Sequence, residues 1–358
     1  MSCVPHRTVV LVQALLLAVV YGAPQESYAQ SVAGIHESKT ITRVAVGSCL
    51  HQGRPQPVWT GVKRYNPELF LLLGDNVYAK SSDMGVVKDA YATQNGNLDF
   101  SRFRERFPLL SVWDDNDYGT PDSGSDFPHK AESKEAFLNF FGAAPNDQRR
   151  GRPGIYGSWT FGPPGSQLQV VGLDTRTFRG ALRRNPKVVD LRTLLKGPYL
   201  PHEGEESPPF LGEEQWRWLE SELKKDVDLR LILSSVQFLS GEHGYESWSN
   251  FPKERLRLVS LLQADPRPTV ILSGDRHHSE ISVAEDLAPF PIIDFTSSAL
   301  NVSRAPVEES NRYRQIGPYF GDNFGALTIT WGSPIRIEME IRGVTGEVAF
   351  SRMVTFGG

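Results

Sequence analysis

The stretch LFLLLGDNVYA, Leu69–Ala79, runs through five consecutive apolar residues and then stops at Gly-Asp-Asn. A strand with one wet face alternates apolar and polar residues. A short unbroken apolar run bounded by turn residues reads instead as a strand covered on both faces. The same form recurs outward from it in TRVAVGSC (Thr42–Cys49), QLQVVGLD (Gln167–Asp174), LRLILSSVQ (Leu229–Gln237), PTVILSGD (Pro268–Asp275) and PIIDFTSS (Pro291–Ser298). Helical patterns lie between several of these runs. LGEEQWRWLESELKK (Leu211–Lys225) places Trp216, Leu219 and Leu223 on one face, and FPKERLRLVSLLQ (Phe251–Gln263) has Pro252 suited to a first turn. Buried strands alternating with helices predict an α/β protein. After Phe324, GALTITWGSPIRIEMEIRG and GEVAFSRMVTF read as antiparallel edge strands. The stretches Pro145–Pro164 and Arg183–Pro209 read as long surface excursions. No clean linker divides the chain, so residues 35–358 are expected to form a single domain.

The 358 residues are 39% apolar with a formal net charge of −4, an ordinary globular composition. It indicates neither a nucleic-acid-binding patch nor a basic membrane surface. Near the N-terminus, Arg7 precedes an apolar run from Val9 to Val20, and Ser27 and Ala29 stand at the small-residue positions of a cleavage site. This reads as a secretory signal peptide, residues 1–29, rather than a membrane span, which needs roughly 20 apolar residues. A single uncleaved anchor is the competing reading. One arginine ahead of the run does not support a twin-arginine signal. The mature protein is expected to be secreted, periplasmic or extracellular, with no transmembrane segment beyond the signal. Cleavage would remove Cys3 and keep Cys49, which is then either a buried inert residue or a functional thiolate. Asn301-Val302-Ser303 is a glycosylation sequon in a eukaryotic secretory host.

Several strands share a feature at their carboxyl ends, where open α/β sheets bind ligands. Val46 leads to Gly47-Ser48-Cys49, and Leu73 leads to Gly74-Asp75-Asn76-Val77-Tyr78. Trp113 leads to Asp114-Asp115-Asn116-Asp117, and Leu272 leads to Ser273-Gly274-Asp275-Arg276-His277-His278. Each is ordinary alone, as a solvated turn or a structural histidine. Together they direct Cys, Asp, Tyr and His to one rim. Adjacent carboxylates repel, and burying them is costly unless a cation lies among them. Thiolate, phenolate and imidazole suit a transition metal, whereas carboxylate and amide oxygens suit Ca2+, Mg2+ or Mn2+. Two cations about 3.5–4 Å apart can clamp the attacking and leaving oxygens of a phosphoryl transfer.

The ordered set GSC, QPVW, LFLLLGDNVYA, VWDDNDYG, GLDTR, LGEEQWRWL, SSVQF, ESWSNFPKERLRLV and LSGDRHHSEIS resembles the alkaline phosphatase D-like branch of the calcineurin-like metallophosphoesterases. The resemblance runs from about Arg43 to about Leu300; each motif is weak alone and the set is specific. It implies a four-layer α/β/β/α metallophosphoesterase sandwich with antiparallel C-terminal strands, without the extra N-terminal β-domain of the family's longer members. It further implies that Asp75 bridges two metals. Tyr78 would supply a phenolate to a ferric-type metal, as in the similar purple acid phosphatases, and Cys49 would bind the same ion. Asp115 falls where a metal-binding Asn usually sits, Asp275 and His277 become ligands, and Gln237 is a weaker candidate. Asn116, Asp117, Arg276 and His278 form the implied catalytic set, with Arg276 facing phosphate oxygens. Arg176 is either a second such arginine or a structural ion-pair partner.

One departure stands out. Relatives usually read Trp-Asp-Asp-His-Asp, and Asn116 replaces a histidine implied to protonate the leaving group or stabilise the transferring phosphoryl. Asparagine donates a hydrogen bond but no proton at neutral pH; His278 is the nearest substitute in sequence. The resemblance implies an exported hydrolase of phosphoric esters, a phosphomonoesterase or phosphodiesterase, using a metal-activated hydroxide. Its implied cofactors are two or more metal ions, Fe3+ plus Ca2+, or Zn2+, Mn2+ or Mg2+. A phospholipase D-like phosphodiesterase is an alternative, as is a catalytically weak phosphate- or polyanion-binding protein. The expected partner is a small phosphoester substrate, and the sequence leaves the oligomeric state open.

Overall fold

The structure is a computed structural model that describes residue 1 and residues 37–188, 197–204, 207–265, 267–287 and 291–357. The expected signal peptide lies, apart from Met1, outside the described residues. Among the described residues no helix is long and apolar enough to cross a membrane.

In chain order the strands are β1 (Arg43–Gly47), β2 (Leu69–Leu73), β3 (Leu109–Val112), β4 (Gly157–Phe161), β5 (Leu168–Gly172), β6 (Arg183–Arg184), β7 (Tyr199–Leu200) and β8 (Leu229–Leu233). There follow β9 (Thr269–Ser273), β10 (Ser279–Ala284), β11 (Ile292–Ser297), β12 (Arg314–Tyr319), β13 (Asn323–Thr330), β14 (Ile335–Gly343) and β15 (Val348–Phe356). They build two mixed sheets, one ordered β15-β14-β13-β1-β2-β3 and the other β12-β10-β11-β9-β8-β5-β4, beside a β6-β7 ladder. All six unbroken apolar runs are strands. β1, β2 and β3 pair in parallel, as do β5, β8, β9 and β11, so their carboxyl ends fall on common rims.

The apolar runs work because side chains alternate across a strand. In β8, Leu229, Leu231 and Leu233 enter a core shared by both sheets, while Ile232 faces the other way. There it joins Trp216 and Leu219 of the helix Gly212–Leu223 and Leu258 of the helix Pro252–Ala264. β9 repeats this with Val270 and Leu272 against Ile271. Pro252 occupies the first turn of its helix, as the sequence predicts. On the six-stranded sheet, Phe70 of β2 meets Trp59 of the helix Val58–Tyr65 edge-on at 5.5 Å, and Trp59 stacks on Phe103 at 4.3 Å. Each large side chain so covered contributes about 1.5–3 kcal/mol of burial.

Two sequence expectations change. The C-terminal strands are antiparallel, but of the three only β15 is an edge; β13 lies between β14 and β1. Phe324, Ala326, Leu327 and Ile329 are all buried, which suits an interior strand with both faces covered. The stretch 145–164 is not wholly a surface excursion, because Gly157–Phe161 forms β4 at the edge of the seven-stranded sheet. Its glycine- and proline-rich flanks hide a five-residue strand.

At the rim the two sheets are bonded to each other. Ser297 Oγ donates to Val46 O at 3.0 Å and accepts from Gly325 N at 2.9 Å, and Ser48 Oγ donates to Ser297 O at 3.1 Å. The ends of β1, β11 and β13 are therefore tied where the chemistry-bearing loops begin.

Candidate metal centre

The loops after β1, β2 and β9 turn in an unusual conformation. Cys49, Asp75, Asp275 and His277 have φ of 61°, 53°, 69° and 57°. Each such non-glycine residue stores about 1–3 kcal/mol of strain, and such residues gather where a site over-determines the backbone. Gly74 (φ 99°) is required for a second reason: a Cβ there would lie 2.6 Å from Asp114 Cβ. The glycine of Gly-Asp thus lets the β2 and β3 turns touch.

The turns assemble two donor groups. Ligand atoms of Cys49, Asp75 and His277 lie within 4.8 Å of one another, as do those of Asp75, Asp114 and Asp115. Asp75 belongs to both, the position of a bridging carboxylate. Cys49 Sγ is 3.7 Å from Asp75 Oδ2 and 3.1 Å from Ser298 Oγ. Tyr78 Oη lies 3.1 Å from His277 Nε2, which adds a phenol to the first group. Ser298 Oγ also accepts from His277 N at 2.8 Å, so one hydroxyl orients two donors.

Asn116 sits between the acids. Its Nδ2 donates to Asp75 Oδ1 at 2.8 Å and to Asp115 Oδ1 at 2.9 Å, while its Oδ1 is buried without a partner. Asp117 turns away from them. Its Oδ1 accepts from Asn76 N (2.7 Å) and Val77 N (3.2 Å), and its Oδ2 from Asp114 N (2.8 Å), so it clamps the β2 turn to the β3 turn. Asp275 is half-buried and joins neither donor group. His278 also joins neither: Nδ1 donates to Arg276 O at 3.0 Å, and Nε2 lies 3.6 Å from Glu280 Oε2. Arg276 Nη2 reaches Glu309 at 2.5 Å, and its guanidinium lies 4.3 Å from the Tyr245 ring centroid. Gln237 Nε2 bonds Glu280 and Thr296, leaving Oε1 buried and unpartnered.

Arg176 proves to be an ion-pair partner. It is fully buried, with Nε 2.8 Å from Asp114 Oδ1 and Nη1 2.7 Å from Glu246 Oε2. Asn301 of the sequon is buried too; its Oδ1 accepts from His51 N at 2.6 Å and its Nδ2 donates to His51 O at 2.9 Å and Pro55 O at 3.3 Å, which leaves no free amide N–H for a sugar.

Asp114 is the residue that sequence reasoning missed as a donor. Ser235 Oγ and Arg176 hold its Oδ1, while Oδ2 is buried and unpartnered. The run of adjacent aspartates carried the signal; the motif alignment directed attention to the second of them.

The electrostatics follow from burial. Burial, then Asp115 and Asp114, pushes the Asp75 carboxyl well above the usual carboxylate range. Burial likewise raises Asp114 to about 7. Burial and the Asp75 charge push the Cys49 thiol up. Burial, then Arg276, pulls His277 down to about 4, so its imidazole is neutral at pH 7 and Nε2 can offer a lone pair. Three buried carboxylates crowded where the β2 and β3 turns meet, with orphaned oxygens on Asp114 and Asn116, are the pattern a cation would relieve. The residues fit such ions. The Cys49-Asp75-His277-Tyr78 set mixes S, O and N donors as transition metals prefer, and the Asp75-Asp114-Asp115 set offers oxygen alone.

Two donor groups sharing one carboxylate, at the carboxyl ends of parallel strands in a two-sheet α/β fold, fit a metallophosphoesterase, a hydrolase of phosphoric esters. More narrowly, the chain belongs to the PhoD-like phosphatase family, whose model matches residues 44–316. The solved structure of PhoD superposes with a TM-score of 0.65 at 14% identity, covering 89% of this chain and 69% of that one. Purple acid phosphatase PPD1 from yellow lupin (Lupinus luteus) seeds gives 0.58 at 14% identity, over 90% of this chain and 55% of that one. A dimetal phosphatase from Danio rerio gives 0.54 at 13% identity, over 89% of this chain and all of that one, 100%. These likenesses concern the fold. No curated protein matches the chain.

Proposed function

We propose that the protein is an exported hydrolase of small phosphoesters that holds a transition metal, Fe3+ in first place, in the Cys49 group and a hard cation, Ca2+ in first place, in the Asp114 group. The observation that carries this is Asp75, shared by a mixed S/O/N donor set and an all-oxygen set. Cys49, Tyr78 and His277 would hold the first ion; Asp114 and Asp115, with the orphaned Asn116 Oδ1 beside them, would hold the second. When bound, such ions supply Lewis acidity toward phosphoryl oxygens and a nucleophile at neutral pH.

The chain's own residues orient and neutralise. Asn116 keeps Asp75 and Asp115 in register by donating to both. Asp117 fixes the two turns relative to each other. Neither residue that the motif order suggests supplies the leaving-group proton: Asn116 carries none to give, and His278 is 1% exposed with Nδ1 tied to a carbonyl. This favours esters with good, aryl-type leaving groups. Export rests on the apolar run Val9–Val20 and the small residues Ser27 and Ala29.

The test is a panel of aryl and alkyl phosphate mono- and diesters, run before and after chelation, with elemental analysis of the same sample. Aryl esters are expected to turn over, chelation to abolish turnover, and iron with a second metal to be found. A metal-replete preparation inert toward every aryl ester would overturn the reading.

A further inference from the structure

Arg304, in the irregular stretch between β11 and β12, is anchored to the metal-centre loop by its backbone N–H, which donates to His277 O at 3.1 Å. Its Nη2 reaches Glu309 Oε1 at 3.1 Å, and Arg276 Nη2 reaches the same oxygen at 2.5 Å. Two guanidinium groups therefore converge on one carboxylate oxygen beside a ligand histidine. Arginine usually meets a permanent carboxylate partner with its fork, through two parallel N–H bonds. Arg276 does not: it offers Glu309 one nitrogen, and its Nε is buried without a partner in a side chain only 5% exposed. Tyr245, below the guanidinium plane, holds the group in place without satisfying that donor.

We infer that Arg276 and Arg304 form an oxyanion cradle for the substrate, and that Glu309 is its internal occupant, displaced when a phosphoryl or other anionic group arrives. The inference rests on the hydrolase reading only for the word substrate. Glu309 then sets the affinity of the site, because its carboxylate competes for the same N–H donors. It also explains why two cationic side chains this close to one another are tolerated before substrate binds. The oxyanion is either the phosphoryl group under attack or a second anionic group on the same molecule; the recognition chemistry is the same.

Inorganic phosphate titrated calorimetrically into the metal-loaded protein tests this without requiring turnover. Glu309→Gln keeps the shape and removes the competing charge, and is expected to tighten phosphate binding about tenfold. Arg304→Gln removes a donor from a half-buried site and is expected to weaken it about tenfold. Phosphate affinity unchanged in both variants, or weakened in Glu309→Gln, would show Glu309 to be a structural anchor and overturn the proposal. The two sources separate in kinetics. If Arg304→Gln raises KM for p-nitrophenyl phosphate, the cradle holds the group under attack. If it raises KM only for a bisphosphorylated ester, the cradle holds a second anion. Absence of all turnover with the phosphate shifts intact would remove the hydrolase reading and leave the cradle standing.

Discussion

Asn116 stands where the family resemblance implies a histidine, and its contacts give the asparagine a use. One amide nitrogen bonds two carboxylates that would otherwise face each other. A histidine ring at this position could place one nitrogen near one of them, and would lose the double contact. Asn116→His is therefore expected to lower kcat/KM for alkyl and aryl esters alike, by about 10–100-fold, because Asp75 and Asp115 lose their shared donor. A restored general acid would instead raise alkyl-ester turnover by about 10²–10⁴-fold. Steady-state rates on one alkyl and one aryl ester distinguish the two, and a gain in that range on the alkyl ester alone would mean that Asn116 marks a missing acid.

At the scale of elements, β10 depends on an inward-facing acid. Glu280 is 1% exposed, accepts from Arg314 of β12 at 2.5 Å and also takes bonds from Gln237 and Asn311. This secures β12 to β10, whose register is otherwise irregular. Burial alone would raise the Glu280 carboxyl, but His278 and Arg314 outweigh it and hold it down at about 2. A depressed carboxyl stabilises the fold above its unfolded pKa and ceases to do so as pH falls through its folded one. The stabilisation is thus complete above about pH 4.5 and is lost between about 4.5 and 2, on the order of 3 kcal/mol at about 1.4 kcal/mol per pKa unit. Glu280→Gln should be less stable than the wild type at pH 7, and the two urea midpoints should converge as pH is lowered toward 2. Parallel curves across that range would assign the acid limb to other groups.

Across the whole molecule, Arg176 joins the halves of the site. It follows β5 of the seven-stranded sheet, pairs with Asp114 at the end of β3 in the six-stranded sheet, and pairs again with Glu246. Arg179 Nε holds the other oxygen of Glu246 at 2.9 Å. Breaking a buried ion pair by removing one partner leaves uncompensated charge in a low dielectric, which costs about 3–5 kcal/mol. Arg176→Met, which keeps bulk and removes charge, is expected to lose stability of that order in urea denaturation and to lower metal content through the freed Asp114. A loss below about 1 kcal/mol would mean that solvent reaches the network.

The unbroken apolar runs and their turn-forming ends were legible in the chain, because strand alternation and strand termination are local properties, and so was the gathering of Cys49, Asp75, Tyr78, Asp115 and His277 as candidate donors. So was the family, from the order of the motifs. The interior place of β13 was not, since pairing with β1 joins residues nearly three hundred positions apart, Val46 and Gly325. Nor could sequence sort the acids and histidines of the rim. Asp114 and Asp115 face Asp75, Asp117 serves backbone N–H groups, and Asp275 and His278 stand outside both donor groups. Neighbouring residues of one type take different roles because left-handed turns at Cys49, Asp75, Asp275 and His277, and partners such as Arg176, Ser298 and Glu309, set where each side chain goes. Those partners come from loops distant in sequence, so their effect exists only once the two sheets have closed on each other.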